Sequence, residues 1–123
     1  MKNLTFVIVD DAIFMRTLLR KMIEGVAEYT VIGEGANGFE AIEQAGKCKP
    51  DIMTLDITMP DMDGVNAVKK ILIASPSTRI IMVSAMGQQS MVIEAIKLGV
   101  KDFIVKPFEK SRVMQAIRNV TSY

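Results

Sequence analysis

The sequence LTFVIVDD, residues 4–11, decides the fold, because it joins a short apolar run to two acids that follow it directly. An unbroken apolar run of this length is typical of a strand buried on both faces of a parallel sheet. A similar run at residues 52–55 is followed by Asp56, and a third at residues 103–105 is followed by Lys106. Because the carboxyl ends of parallel strands open on one crevice, we expect these charged residues to lie together.

Short apolar runs alternate along the chain with longer segments whose apolar residues recur every three or four positions. This alternation predicts strands and amphipathic helices in turn, and Gly99 is expected to cap the fourth helix. The predicted strands are Leu4–Val9, Tyr29–Ile32, Asp51–Leu55, Arg79–Val83 and Asp102–Val105. The predicted helices are Ile13–Val26, Gly38–Ala45, Val65–Ala74, Gln88–Leu98 and Glu109–Val120.

Five strands that alternate with five helices indicate an α/β fold, a doubly wound parallel sheet flanked by five helices on its two faces. Right-handed crossovers leave few topologies for such a sheet. The flavodoxin-like strand order 2-1-3-4-5 is common among doubly wound sheets, and we expect it here. No linker, repeat or low-complexity segment divides the chain, so we expect a single domain over residues 1–123.

Composition excludes several classes of function. The formal net charge of +1 and the lack of lysine or arginine runs argue against a nucleic-acid partner. No apolar stretch approaches the ~20 residues of a membrane span, and no signal peptide is recognisable. A lone cysteine, Cys48, fits a reducing compartment, so we expect a cytoplasmic protein. The chain has no histidine, so its chemistry must use carboxylate, hydroxyl, amine or backbone groups.

Three carboxylates at one crevice favour a cation site. Two unit charges about 4 Å apart interact by roughly 4 kcal/mol at an effective dielectric near 20, so such a cluster either raises its own pKa values or binds a divalent cation. Carboxylate oxygens suit Mg²⁺, which usually takes one or two protein carboxylates together with waters and a phosphate oxygen. We therefore predict one Mg²⁺ ion at Asp10, Asp11 and Asp56.

A hydroxyl and an amine complete the predicted site. Ser84 ends the fourth strand and can donate to a phosphoryl oxygen, while Lys106 can neutralise its charge. Phosphoryl transfer depends on positioning and charge neutralisation, and a carboxylate nucleophile yields an acyl phosphate. Taken singly, Asp11 could instead cap the next helix, Ser84 could be a turn residue and Lys106 a solvated cation. Their joint placement at strand ends favours the phosphoryl-transfer site.

Four motifs together resemble the receiver domain of two-component response regulators. They are Asp10-Asp11, the segment DITMPDMDG at residues 56–64, Ser84-Ala85 and Lys106-Pro107-Phe108. The resemblance covers the whole chain and is greatest to the stand-alone chemotaxis members of the family. It implies a signalling protein that catalyses its own phosphorylation and dephosphorylation, rather than an enzyme acting on outside substrates.

The resemblance also implies a role for each matching residue at the phosphoryl site. Asp56 would accept phosphate from a phosphohistidine of a partner kinase, and Lys106 would contact that phosphate. Asp11, Asp56 and the backbone carbonyl of Thr58 would ligate Mg²⁺, with Asp10 assisting. The Lys106–Pro107 bond is often cis in this family.

For signal output, the resemblance implies a switch at Ser84 and Phe103. Ser84 would move toward the phosphoryl group, and Phe103 would turn inward as it does. The face formed by the fourth helix, fifth strand and fifth helix would then change. The implied partners of this monomer are a sensor or chemotaxis histidine kinase, a flagellar motor switch protein and a phosphatase.

Several alternatives stay open at this point. The chain could be a receiver that acts only as a phosphate sink, or one detached from a larger response regulator. It could also be a phosphohydrolase with an aspartyl intermediate, although Thr58 stands where such enzymes commonly carry a second acid. Finally, Gly33-Glu34-Gly35-Ala36-Asn37-Gly38 satisfies the dinucleotide-binding pattern G-x-G-x-x-G, but it follows the second strand rather than the first.

Overall fold

The computed structural model describes residues 3–59 and 62–121. Strands and helices alternate along the chain, as predicted. The strands are β1 (Leu4–Val9), β2 (Tyr29–Gly35), β3 (Ile52–Asp56), β4 (Arg79–Ser84) and β5 (Asp102–Val105). The helices are α1 (Ile13–Glu24), α2 (Gly38–Cys48), α3 (Gly64–Ala74), α4 (Gln89–Leu98) and α5 (Lys110–Thr121).

All of the strand pairs are parallel, and the sheet has the order β2-β1-β3-β4-β5, which confirms the predicted fold class. The register aligns the carboxyl ends of the inner strands. Val9 of β1 pairs with Leu55 of β3, and Asp56 pairs with Val83 of β4. The residues that follow these strands therefore open on one edge of the sheet.

Each face of the sheet has its own apolar core, because successive strand residues point to opposite faces. Val7 and Val9 pack with α2, α3 and α4, while Phe6 and Ile8 pack with α1 and α5. These β1 residues are at most 1% exposed. The strand is thus covered on both sides, which explains why its sequence is an unbroken apolar run.

Several predicted boundaries shift by one to three residues. Strand β2 continues to Gly35 rather than ending at Ile32, because its pairing with β1 resumes at Gly33 after a register shift that leaves Ile32 without a partner in β1. Helix α2 continues from the predicted Ala45 to Cys48 and stops where Lys49 adopts a left-handed conformation with φ of 44°. Gly99 caps α4 as predicted.

Strand β3 begins one residue later than predicted, at Ile52. Asp51 is used instead as a side-chain link to β1, since its Oδ2 accepts from the backbone N–H of Thr5 at 2.9 Å. The strand also ends one residue later, at Asp56. Asp56 pairs with Val83, and the next N–H, of Ile57, donates to the Val83 carbonyl.

Across residues 3–59 and 62–121, no helix combines the length and apolar character needed to cross a membrane. The single domain over residues 1–123 and the cytoplasmic location stay predictions.

Candidate functional site

Asp10, Asp11 and Asp56 meet at the carboxyl edge of the sheet, as the strand ends predict. Each offers one carboxylate oxygen, and these oxygens lie within 4.8 Å of one another. Asp10 follows β1 and is 1% exposed, whereas Asp56 ends β3 and is 6% exposed. Asp11 is exposed and faces solvent at the mouth of the crevice.

Lys106 reaches into this cluster from the loop after β5. Its Nζ lies 3.1 Å from Oδ2 of Asp10 and 3.5 Å from Oδ2 of Asp56. The Lys106–Pro107 peptide bond is cis. One ammonium therefore contacts two of the three carboxylates, and the cluster keeps an excess of negative charge.

The pKa shifts agree with that excess. Burial, followed by the charge of Asp10, raises the pKa of Asp56 to about 6, although Lys106 and the N–H of Thr58 oppose the rise. Burial works to lower the pKa of Lys106, but the charges of Asp56 and Asp10 outweigh it, so this pKa is raised. Lys106 alone therefore does not neutralise the negative charge of the carboxylates.

The donor set fits Mg²⁺. All of the side-chain groups are hard carboxylate oxygens, and two of the three carboxylates are buried. Thr58 lies in the loop that follows Asp56, and its N–H donates to Oδ1 of Asp56 at 3.3 Å. A small divalent cation would compensate the buried charge of Asp56 and relieve the repulsion from Asp10, the two causes that raise the pKa of Asp56.

The alternative in which Asp11 caps α1 is wrong. The N-cap of α1 is Ala12, and no side-chain hydrogen bond caps this helix within the described residues. It is Oδ1 of Asp10 that accepts from the N–H of Ala12, at 2.9 Å. The first turn of α1 is therefore tied to the buried acid, which leaves Asp11 without a capping role.

Arg16 supports the acidic loop and was missed by the sequence reasoning. Its Nη1 donates to the backbone carbonyl of Asp10 at 2.6 Å, while its Nε donates to Oε1 of Glu34 at 2.9 Å. Arg20 binds the other oxygen of Glu34 at 2.8 Å. The sequence signal for this contact is weak, because two arginines four residues apart on α1 can be matched to an acid in β2 only when the fold is known.

Glycine at position 64 lets α3 start directly against the end of β3. The Gly64 N–H donates to the Ile57 carbonyl at 2.6 Å, and a Cβ at this position would lie only 2.6 Å from the Asp56 carbonyl oxygen. Asp63 caps the helix, since its Oδ1 accepts from the N–H of Asn66 at 2.8 Å. Asp63 and Gly64 thus fix the start of α3 against Ile57, the residue that follows Asp56.

Ser84 and Phe103 border a hollow beside the acidic cluster. Ser84 is 2% exposed and ends β4 one residue beyond Val83, the partner of Asp56. Phe103 is half-buried in β5. The hollow, about 400 Å³, is lined largely by apolar side chains and lies between these residues and α4.

Gln88 bridges the loops after β3 and β4, and it too was missed. Its Oε1 accepts from the N–H of Ala85 at 2.7 Å, and its Nε2 donates to Oγ1 of Thr58 at 2.6 Å. No sequence pattern signals this contact, because it depends on how two loops meet in space.

The glycine motif does not form a phosphate-binding turn. Gly33 and Gly35 lie within β2 and pair with Val7 and Val9. Their small size lets α2 pack closely, since a Cβ at Gly35 would lie 3.2 Å from Cβ of Glu40. The structure therefore contradicts the dinucleotide-binding alternative.

Comparison with known proteins agrees with this geometry. Residues 6–118 match the family described as Response regulator receiver domain. The chain is 57% identical over 114 residues to the Chemotaxis protein CheY of Thermotoga maritima, with 93% of this chain and 94% of the relative covered. It is 52% identical over 114 residues to the Chemotaxis protein CheY of Listeria monocytogenes, with 93% and 95% covered.

A solved structure shows the same fold. A chain in the crystal structure of the CheX-CheY-BeF3-Mg+2 complex from Borrelia burgdorferi is 34% identical and superposes with a TM-score of 0.89. The superposition covers 97% of this chain and 90% of that one. The match over residues 6–118 and the two CheY relatives show that the chain belongs to the response regulator receiver domain family.

Proposed function

We propose that this protein is a phosphorylation-activated switch of a two-component system, in which Asp56 is the phosphoacceptor. The observation that carries the proposal is the position of Asp56, which is buried at the end of a central strand, within reach of two further carboxylates and Lys106. This is a carboxylate held where charge neutralisation is available for an incoming phosphoryl group.

The reaction that we propose is transfer from a phosphohistidine on a partner kinase. A carboxylate oxygen of Asp56 attacks phosphorus, the phosphorus–nitrogen bond breaks, and its electron pair leaves with the imidazole. Lys106 neutralises the phosphoryl oxygens as the acyl phosphate forms. Mg²⁺, held by Asp11, Asp56 and the Thr58 carbonyl with help from Asp10, would neutralise negative charge at the transferred group.

For signal output, we propose that Ser84 moves toward the phosphoryl oxygens and that Phe103 turns into the hollow beside it. The hollow, about 400 Å³, gives the ring room to move. The face of α4, β5 and α5 would then change shape. Phosphorylation would shift the balance between two arrangements that are both populated beforehand.

The relatives favour a role in chemotaxis. Because the two CheY proteins are named for chemotaxis and are covered almost completely, we propose that a chemotaxis histidine kinase is the donor. A flagellar motor switch protein would read the phosphorylated form. The CheX-CheY complex shows that a related receiver binds a second protein, and we propose a phosphatase as a further partner here. We expect the protein to act as a monomer without binding nucleic acid.

Incubation with acetyl phosphate and Mg²⁺, followed by mass spectrometry, tests the assignment. The wild-type protein should gain one phosphoryl group, and Asp56→Asn should gain none. Equal gain in both proteins would refute the role of Asp56. Rapid multiple turnover of phosphomonoesters would favour the phosphohydrolase instead. Phosphorylation without a change in motor-protein capture would favour the phosphate sink.

A further inference from the structure

Two loops border Asp56 at the mouth of the site, one after β3 and one after β4. The side chain of Gln88, at the N-cap position of α4, joins them through both ends of its carboxamide. Its oxygen accepts a hydrogen bond from the N–H of Ala85 at 2.7 Å, and its nitrogen donates to the Thr58 hydroxyl at 2.6 Å. The bridge spans residues that are 30 positions apart in sequence.

The bridge connects the two segments whose relative position the switch must change. Thr58 lies two residues beyond Asp56, and Ala85 directly follows Ser84. We take the movement of Ser84 toward a phosphoryl group on Asp56 to include its backbone, so that Ala85, which is joined to it by a peptide bond, moves as well. Gln88 cannot keep its hydrogen bonds to both Ala85 and Thr58 during that movement unless its own side chain changes conformation.

We propose that Gln88 is a latch residue for the phosphoryl switch. Its carboxamide holds the loops after β3 and β4 in the resting arrangement, and it releases one of them when Ser84 closes on the phosphoryl group. The inference rests on the proposed function. Because Thr58 is exposed and Gln88 is partly exposed, the released groups can bind water, which makes the latch reversible.

The latch has a measurable consequence for phosphoryl binding. A ligand that binds only a minor arrangement has an apparent affinity that is reduced in proportion to the fraction of molecules in that arrangement. Gln88→Met keeps the length of the side chain but removes its donor and acceptor. In the presence of Mg²⁺, this variant should bind the phosphoryl mimic beryllofluoride about threefold to tenfold more tightly than wild type. Fluorine NMR of the bound mimic measures the affinity.

Thr58→Val tests the same contact from the other side, because it removes the hydroxyl and nearly keeps the shape. It should strengthen beryllofluoride binding by part of the Gln88→Met effect, since the bond to Ala85 remains. The double variant should equal Gln88→Met alone, because both changes break one bridge. Fully additive effects would overturn the latch.

Gln115→Met is the matched control, an exposed glutamine on α5 whose side chain makes no hydrogen bond among the residues that the structure describes. It should bind beryllofluoride as wild type does, and an effect equal to that of Gln88→Met would overturn the proposal. Unchanged or weaker binding by Gln88→Met would also overturn it. If wild type is phosphorylated by acetyl phosphate, that failure concerns the latch alone. If wild type takes up no phosphate, the proposed function fails and the latch with it.

Discussion

At the scale of single residues, the charge on Asp56 opposes folding. Its pKa is raised from 3.8 to about 6, so the folded chain binds the proton more tightly than the unfolded chain does. Below pH 3.8 the carboxyl is protonated in both states, and the cost is absent. The cost grows as pH rises toward about 6 and is complete above it, where it amounts to roughly 2–3 kcal/mol.

Asp56→Asn should therefore be more stable than wild type by about 2–3 kcal/mol near neutral pH, in EDTA. The difference should shrink as pH falls from about 6 toward 3.8 and be lost below 3.8, where the wild-type carboxyl is largely protonated in both states. Urea unfolding across this pH range measures it. A difference that stayed constant with pH would show that charge is not the cause.

Two buried threonines offer a second residue-scale comparison. Thr54 is 1% exposed, and its Oγ1 has no hydrogen-bond partner among the described residues. Thr78 is 4% exposed, but its Oγ1 donates to the Pro50 carbonyl at 2.7 Å and lies 2.6 Å from the Ser75 hydroxyl. An unpaired buried hydroxyl destabilises the folded state, whereas a paired one stabilises it.

Thr54→Val should raise the free energy of unfolding by about 1 kcal/mol, because it keeps the shape and removes the unpaired hydroxyl. Thr78→Val should lower that free energy by about 1–2 kcal/mol, because it leaves the Pro50 carbonyl and the Ser75 hydroxyl without their partner. Denaturant unfolding of the two variants measures both values. Loss of stability in Thr54→Val would mean that its hydroxyl has a partner after all.

At the scale of elements, the sequence predicts the position of a strand or helix where the pattern of apolar residues marks it. The unbroken apolar runs identify β1 and β4 to within one residue, because both strands are buried on both faces. The end of β2 was missed, because Gly33 and Gly35 read as a turn although the edge strand stays paired through them. Contacts between side chains on different elements, such as Arg16 of α1 with Glu34 of β2, carry no periodic signal.

Arg16 joins α1 to β2 and to the loop after β1, and its removal should weaken the cation site. It links α1 to Glu34 of β2 and to the carbonyl of Asp10, so it orients the loop that carries two proposed Mg²⁺ ligands. Arg16→Gln should lower Mg²⁺ affinity about tenfold, a loss typical of groups that orient metal ligands. Isothermal titration calorimetry measures the affinity.

Arg20→Gln is the matched control, because Arg20 binds the same Glu34 without touching Asp10. It removes one of the two arginines that lower the pKa of Glu34, yet it leaves the acidic loop in contact with Arg16. Its Mg²⁺ affinity should stay near that of wild type. An equal loss in both variants would trace the effect to the α1–β2 link in general.

At the scale of the whole molecule, folding brings together acids that are 45 or 46 positions apart in sequence and holds them against their repulsion. The unfolded chain has no such cluster, so Mg²⁺ should bind the folded state alone. The free energy of unfolding should then rise by about 1.4 kcal/mol for each tenfold increase in Mg²⁺ above its dissociation constant. Urea unfolding at constant ionic strength measures this dependence.

Asp11→Asn should lose most of this dependence, because it removes the exposed carboxylate of the cluster and leaves the buried ones in place. Glu43→Gln, an exposed acid on α2, removes the same charge elsewhere and should keep the full dependence. The comparison separates a specific ion from general screening, which would act on both variants alike. Equal Mg²⁺ stabilisation of the two variants would place the ion away from Asp11 and refute the proposed site.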